Sequence, residues 1–183
     1  MKKCIATIII IFACIFTINA QNVKYGVKAG LNFSNLEIKL SDDFEEDDSE
    51  DINGKTGFYF GGFVDISISE KFSIQPELLF SIEGGEDTGI NFVNVPIMAK
   101  YYITSGLSLQ AGPQIGFLVS AEDDADEFLK STNFGLNAGL GFDLKETGIF
   151  FDARYNFGLS DIGDATGFEV NTKGFQIGVG YKF

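Results

Sequence analysis

From Lys173 to Phe183, apolar residues occupy every second position. Phe175, Ile177, Val179, Tyr181 and Phe183 alternate with Gly174, Gln176, Gly178, Gly180 and Lys182. A period of two predicts a strand with unlike faces. Seven further runs show the same alternation: Val23–Phe33, Phe58–Ile68, Phe72–Ile82, Val93–Ile103, Leu107–Val119, Phe134–Leu144 and Ile149–Leu159. A final strand this apolar would leave an adhesive open edge, and pairing the last strand with the first removes it. The expected fold is all-β: an eight-stranded antiparallel up-and-down transmembrane β-barrel.

The two phases of these runs differ sharply in chemistry. No apolar-phase position carries a charge, although charged residues make up 21% of the chain. A charge facing lipid at mid-bilayer costs about 2–4 kcal/mol, which explains such a purge. A soluble, lipocalin-like carrier would turn the same face inward. Eight strands, however, enclose space for little more than their own side chains, and the Phe, Ile, Leu and Tyr of the apolar phase would overfill it. The apolar face is therefore expected to look outward. The other phase is rich in glycine, with Gln110 and Gln176 and an interior polar network of structural character: Lys28, Asp65, Gln75, Glu77, Lys100, Gln114, Asp143, Asp152 and Arg154. A simple hairpin at Ser69–Lys71 would set Asp65 opposite Gln75, with Glu77 one step further.

The connections alternate in length. Ser34–Gly54, Ser120–Thr132 and Asp161–Thr172 are long and Glu83–Gly89 is intermediate, whereas Ser69–Lys71, Thr104–Gly106 and Lys145–Gly148 are short. Outer-membrane barrels keep short turns in the periplasm and longer loops outside, so both termini are expected on the periplasmic side. Aromatic residues gather near both strand ends, as interfacial girdles do. All three prolines, Pro76, Pro96 and Pro113, fall inside the strands, where each removes a ladder donor; bulges are expected there.

Met1–Ala20 stands outside this pattern. Lys2 and Lys3, the apolar run Ile5–Ile18 and the small-residue end Asn19-Ala20 form a secretory signal peptide, leaving residues 21–183 as one barrel domain. Cys4 and Cys14 both lie in this leader. Cys14 follows Ala13, as in lipidated leaders, but Phe12 is bulky and the apolar run continues past it. The mature chain then has no thiol, and the whole chain has no histidine. That removes the usual bases and nucleophiles of small barrel hydrolases, so no enzymatic activity and no cofactor is expected. Of the 13 basic residues two are in the leader, leaving 11 against 26 acidic ones and a net charge of −15. Nucleic acid is excluded as a partner, since it requires the opposite sign.

The acidity is concentrated in two long connections. Asp42, Asp43, Glu45, Glu46, Asp47, Asp48, Glu50 and Asp51 crowd the first, and Glu122, Asp123, Asp124, Asp126 and Glu127 the third. The spacing in the first fits no calcium-loop template. A solvated acidic rim remains, with divalent cations bridging to lipopolysaccharide, or a basic protein, as candidate partners. The other expected partners are outer-membrane lipid and, through the C-terminal strand, the barrel-insertion machinery. The functions left open are a structural, adhesive or secretion-associated scaffold with a filled lumen, and a small-solute channel.

Several stretches carry a family likeness. Gly26-Val27-Lys28-Ala29-Gly30-Leu31-Asn32-Phe33, Gln75-Pro76-Glu77-Leu78, Phe92-Val93-Asn94-Val95-Pro96-Ile97-Met98-Ala99-Lys100-Tyr101, Leu109-Gln110-Ala111-Gly112-Pro113-Gln114-Ile115-Gly116 and Asp152-Ala153-Arg154-Tyr155-Asn156-Phe157-Gly158-Leu159 resemble the PorT-type outer-membrane β-barrel domain family of Gram-negative bacteria. The resemblance implies the barrel fold, tolerance of the strand prolines and, from the family's name-giving member, an association with protein secretion. It implies no catalytic mechanism.

Overall fold

The computed structural model describes residues 23–40, 51–83, 90–121, 132–144, 146–159 and 168–183. The leader expected at Met1–Ala20, the acidic residues Asp42–Glu50 and the acidic residues Glu122–Glu127 lie outside them. The described chain forms eight strands: β1 (Val23–Leu40), β2 (Asp51–Ser69), β3 (Phe72–Glu83), β4 (Ile90–Tyr102), β5 (Leu107–Ala121), β6 (Thr132–Asp143), β7 (Ile149–Gly158) and β8 (Phe168–Lys182). Each pairs antiparallel with its chain neighbour, and β8 closes on β1 from Gly26↔Lys182 to Leu40↔Phe168, giving a closed barrel. No strand retains a free edge along that seam.

The alternation sets the two faces as the lipid-exposure argument requires. The large apolar side chains that are most exposed all belong to the apolar phase: Phe60 is 51% exposed, Leu136 42% and Tyr155 38%. Inward positions on the same strands are closed off, with Glu77 and Lys100 at 0% and Arg154 at 1%. On the outer wall, neighbouring rings meet across and along strands, as in Phe60–Phe80 with centroids 5.6 Å apart and Tyr181–Phe183 at 5.2 Å. Glycines on the inner face let adjacent strands coil tightly. A Cβ on Gly61 would collide with the Leu78 carbonyl, and one on Gly112 with that of Ile97.

Three expectations are corrected. First, no bulge sits at a proline. Pairing between β3 and β4 stops at Pro76↔Ile97 and resumes at Leu79↔Asn94, with two residues skipped on each strand. Between β4 and β5 it stops at Pro96↔Gln114 and resumes at Ala99↔Ala111, again with equal gaps. The ladder forgoes bonds that proline cannot donate while the register is kept. The shifts that do occur lie at Ser34/Leu36, Ser67/Ser69 and Asn91/Phe92.

Second, the strands bounding the first and last long connections reach further than expected. Strand β1 continues to Leu40 and pairs with β8 from Phe168, so much of Ser34–Gly54 and Asp161–Thr172 is strand. The apolar phase changes from odd positions up to Phe33 to even positions at Leu36, Ile38 and Leu40, and the β1–β2 shift falls at that change. The extra residue of that shift lies on β2, where Lys55 to Ile52 spans one position more than Ser34 to Leu36, while β1 keeps an unbroken register with β8 through the change.

Third, the lumen is not lined by small and polar residues alone. Tyr59, Phe63, Leu79, Phe92, Met98 and Phe150 lie on the inward phase and are buried. Glycines on other strands accommodate the rings: a Cβ on Gly26 would strike its register partner Phe63, one on Gly180 its register partner Phe150, and one on Gly178 Tyr59.

Candidate functional site

The interior polar side chains form two storeys. The lower one, toward the short turns, contains four cations, Lys28, Lys100, Arg154 and Lys182, and four anions, Asp65, Glu77, Asp143 and Asp152. At its centre Arg154 on β7 grips Glu77 on β3 with two nitrogens. Nη1 donates to Oε2 at 2.9 Å and Nη2 to Oε1 at 2.7 Å. The planar guanidinium fork matches a carboxylate in this bidentate way, which a lysine could not. Nη2 also donates to Gln110 Oε1 at 3.0 Å and lies 3.1 Å from Asp152 Oδ2. Lys28 Nζ reaches Asp152 Oδ2 at 2.5 Å and Glu77 Oε2 at 3.5 Å. Glu77 and Asp152 are therefore each shared between two cations.

Gln75 links this centre to the turn end. Its amide donates to Glu77 Oε1 at 2.8 Å, and its carbonyl accepts from Lys100 Nζ at 3.1 Å. Lys182 Nζ then bridges Asp65 Oδ2 at 3.1 Å and Asp143 Oδ2 at 2.6 Å, with Tyr102 donating to Asp143 at 3.1 Å. The Phe150 ring lies close to two ammonium groups, 5.6 Å from Lys100 Nζ and 5.3 Å from Lys182 Nζ. A ring face attracts both cations and reduces the cost of burying them.

The upper storey is neutral. Asn156 donates to Asn137 at 3.0 Å, Asn137 to Gln114 at 2.9 Å, Gln114 to Asn94 at 3.2 Å and Asn94 to Ser81 at 2.8 Å. This amide chain crosses β7, β6, β5, β4 and β3.

Each expected network residue faces the lumen, but they divide between the storeys. Lys28, Gln75, Glu77, Lys100, Asp152 and Arg154 share the centre, Asp65 and Asp143 meet at Lys182, and Gln114 belongs to the amide chain. Asp65 lies level with Gln75, between the pairs Phe63↔Glu77 and Ile66↔Ile74, yet bonds toward Lys182. Sequence reasoning missed Lys182, Tyr102, Asn94, Asn137 and Asn156 as partners; their signal was a polar residue on the inward phase. Both carboxylate oxygens of Glu77 accept from Arg154.

A closed antiparallel barrel with an apolar exterior and a polar, charged interior is the architecture of outer-membrane β-barrels. Residues 19–164 match the outer membrane protein beta-barrel domain family, and the chain belongs to it. Among solved structures it is similar to Ail, the attachment invasion locus protein of Yersinia pestis, at 17% identity and a TM-score of 0.56, over 89% of this chain and 100% of that one. It is also similar to Neisserial surface protein A, at 14% identity and a TM-score of 0.51, over 87% of this chain and 97% of that one. At these identities the likeness shows the fold. No curated protein matches the chain.

Proposed function

We propose that the protein is a non-enzymatic outer-membrane barrel of the PorT type, a rigid scaffold whose filled lumen holds its outward loops for contact with partners. The observation that carries this reading is the buried, charge-balanced network spanning the lumen, with Arg154 and Glu77 at 1% and 0% exposure. Such a network braces distant strands and blocks the cross-section. In this reading the leader is removed, both termini are periplasmic and the short turns face the periplasm. Lipopolysaccharide surrounds the loop end, and the insertion machinery recognises the C-terminal strand. The acidic loops are the contact surface for a basic partner or for divalent cations. Calcium titration of the refolded protein tests the cation arm, and an unchanged melting temperature at millimolar calcium removes it.

Reconstitution in planar bilayers tests the scaffold itself. Conductance should stay near zero. Discrete openings in the unmodified protein would instead support the second reading, a small-solute channel, to which the open vestibule at the turn end lends some support.

A further inference from the structure

At the loop end β8 outruns its neighbour β7. Strand β8 stays paired with β1 as far as Leu40↔Phe168. Its pairing with β7 ends at Phe157↔Lys173, and Gly158 and Leu159 pair with neither Thr172 nor Asn171. The Leu159 amide donates to the Phe134 carbonyl on β6, on the other side of β7. Among the described residues, β8 therefore has no partner strand over Phe168–Thr172 on the side away from β1. Successive residues of an antiparallel strand turn their N–H and C=O to opposite sides. Lys182 donates to the Gly148 carbonyl on the β7 side at 2.8 Å, and Phe183 to the Tyr25 carbonyl on β1 at 2.8 Å. The β1–β8 register runs without a shift from Gly26↔Lys182 to Leu40↔Phe168, so this alternation carries through. Phe168, Val170 and Thr172 thus turn their N–H and C=O away from β1. Such an edge is a template for one more strand.

Charge selects the strand that it takes. The chain leaves β1 at Leu40, opposite Phe168, and Asp42, Asp43, Glu45 and Glu46 follow in the sequence. Glu169 stands on the edge strand itself. A second copy of this acidic edge would be repelled, whereas a cationic chain is drawn to it. Phe168 and Val170 alternate with Glu169, so a strand alternating apolar and basic residues is the complement of this edge. We propose that the Phe168–Thr172 edge of β8 takes an extended segment of a partner protein, alternating apolar and basic residues, as an added strand. This mode of contact rests on the reading of the acidic loops as a surface for a basic partner, and adds a backbone to it.

The probe is a short synthetic peptide of alternating valine and lysine, titrated into the refolded full-length barrel in nanodiscs of zwitterionic phospholipid. Binding should saturate, and amide hydrogen exchange at Val170 and Thr172 should slow as it does. The same peptide fully N-methylated keeps every charge and loses every backbone donor; it should bind about tenfold more weakly. Val170→Pro removes a donor on the open side and leaves the β1 ladder intact. It should also weaken binding about tenfold while the heat resistance of the folded band is unchanged. Should Val170→Pro fail to fold, the N-methylated peptide decides. No saturable binding at millimolar peptide overturns the proposal. Equal binding of the N-methylated peptide overturns it too, and leaves the acidic loops as a purely electrostatic surface. Val170 and Thr172 amides already protected without peptide would give the edge to another segment of this chain, or, where dilution removes the protection, to a second copy; either contradicts the proposal. The conductance measurement is untouched by all of these outcomes and tests the scaffold separately.

Discussion

Toward the short turns the lumen is held by ions, with Arg154, Lys28, Lys100 and Lys182 distributed among four carboxylates; toward the loops it is held by a relay of neutral amides from Asn156 to Ser81. Both satisfy buried polar groups, but they differ in what a single lesion leaves behind. Breaking an amide link strands a dipole, whereas breaking an ion pair strands a charge in a site already removed from water. The lower storey should therefore be the stricter of the two, tolerating paired changes and resisting single ones.

The largest effect is expected from Arg154→Leu. It leaves Glu77 without its fork and Asp152 with Lys28 as its one remaining cation beside the Tyr59 hydroxyl, a loss of about 3–5 kcal/mol. On a gel, the folded band should convert to the unfolded one at a clearly lower temperature; unchanged heat resistance would remove the structural role from the network. Replacing Glu77 and Arg154 together by leucine should restore much of that loss, since both charges leave at once.

Next in size is a charge on the outer wall. Phe60→Lys should cost about 2–4 kcal/mol in a lipid bilayer, read from urea titrations of folding into vesicles. A cost near zero would place Phe60 outside the hydrocarbon. In the upper storey Asn137→Ala removes two links of the amide chain and should cost only about 1–3 kcal/mol. A loss equal to that of Arg154→Leu would abolish the distinction between the storeys. The smallest effect is expected from salt: raising it to molar strength should leave the heat resistance of the folded barrel almost unchanged, because buried pairs are weakly screened.

Much of the fold was legible because a barrel wall in lipid repeats one rule along every strand. Phe134, Leu136, Leu140 and Phe142 must each be apolar for the same reason, so the period of two is nearly uninterrupted. The extension of β1 to Leu40 was harder to see because the phase changes there and charges enter, both of which resemble a loop. Which interior residues bond was not legible at all. Lys28 and Asp152 are 124 positions apart and sit on strands separated by β8, and Arg154 reaches Glu77 from the opposite side of the lumen. Such meetings depend on the stagger of a closed barrel, which no local pattern encodes. The buried rings of Tyr59, Phe63 and Phe150 are matched by glycines on other strands, so their signal is distributed across the chain.

The direction in which the two phases face carries everything else. The mature sequence expected after the leader is free of cysteine, so single cysteines can be introduced and spin-labelled at Phe60, Leu136 and Tyr155 on the outside and at Gln110 and Gly139 on the inside. In bilayers, the first three labels should relax strongly with dissolved oxygen and weakly with a water-soluble nickel complex. Labels at Gln110 and Gly139 should be inaccessible to oxygen from the lipid or should prevent folding. Oxygen contact at the inward sites together with its absence at Phe60, Leu136 and Tyr155 would contradict the account.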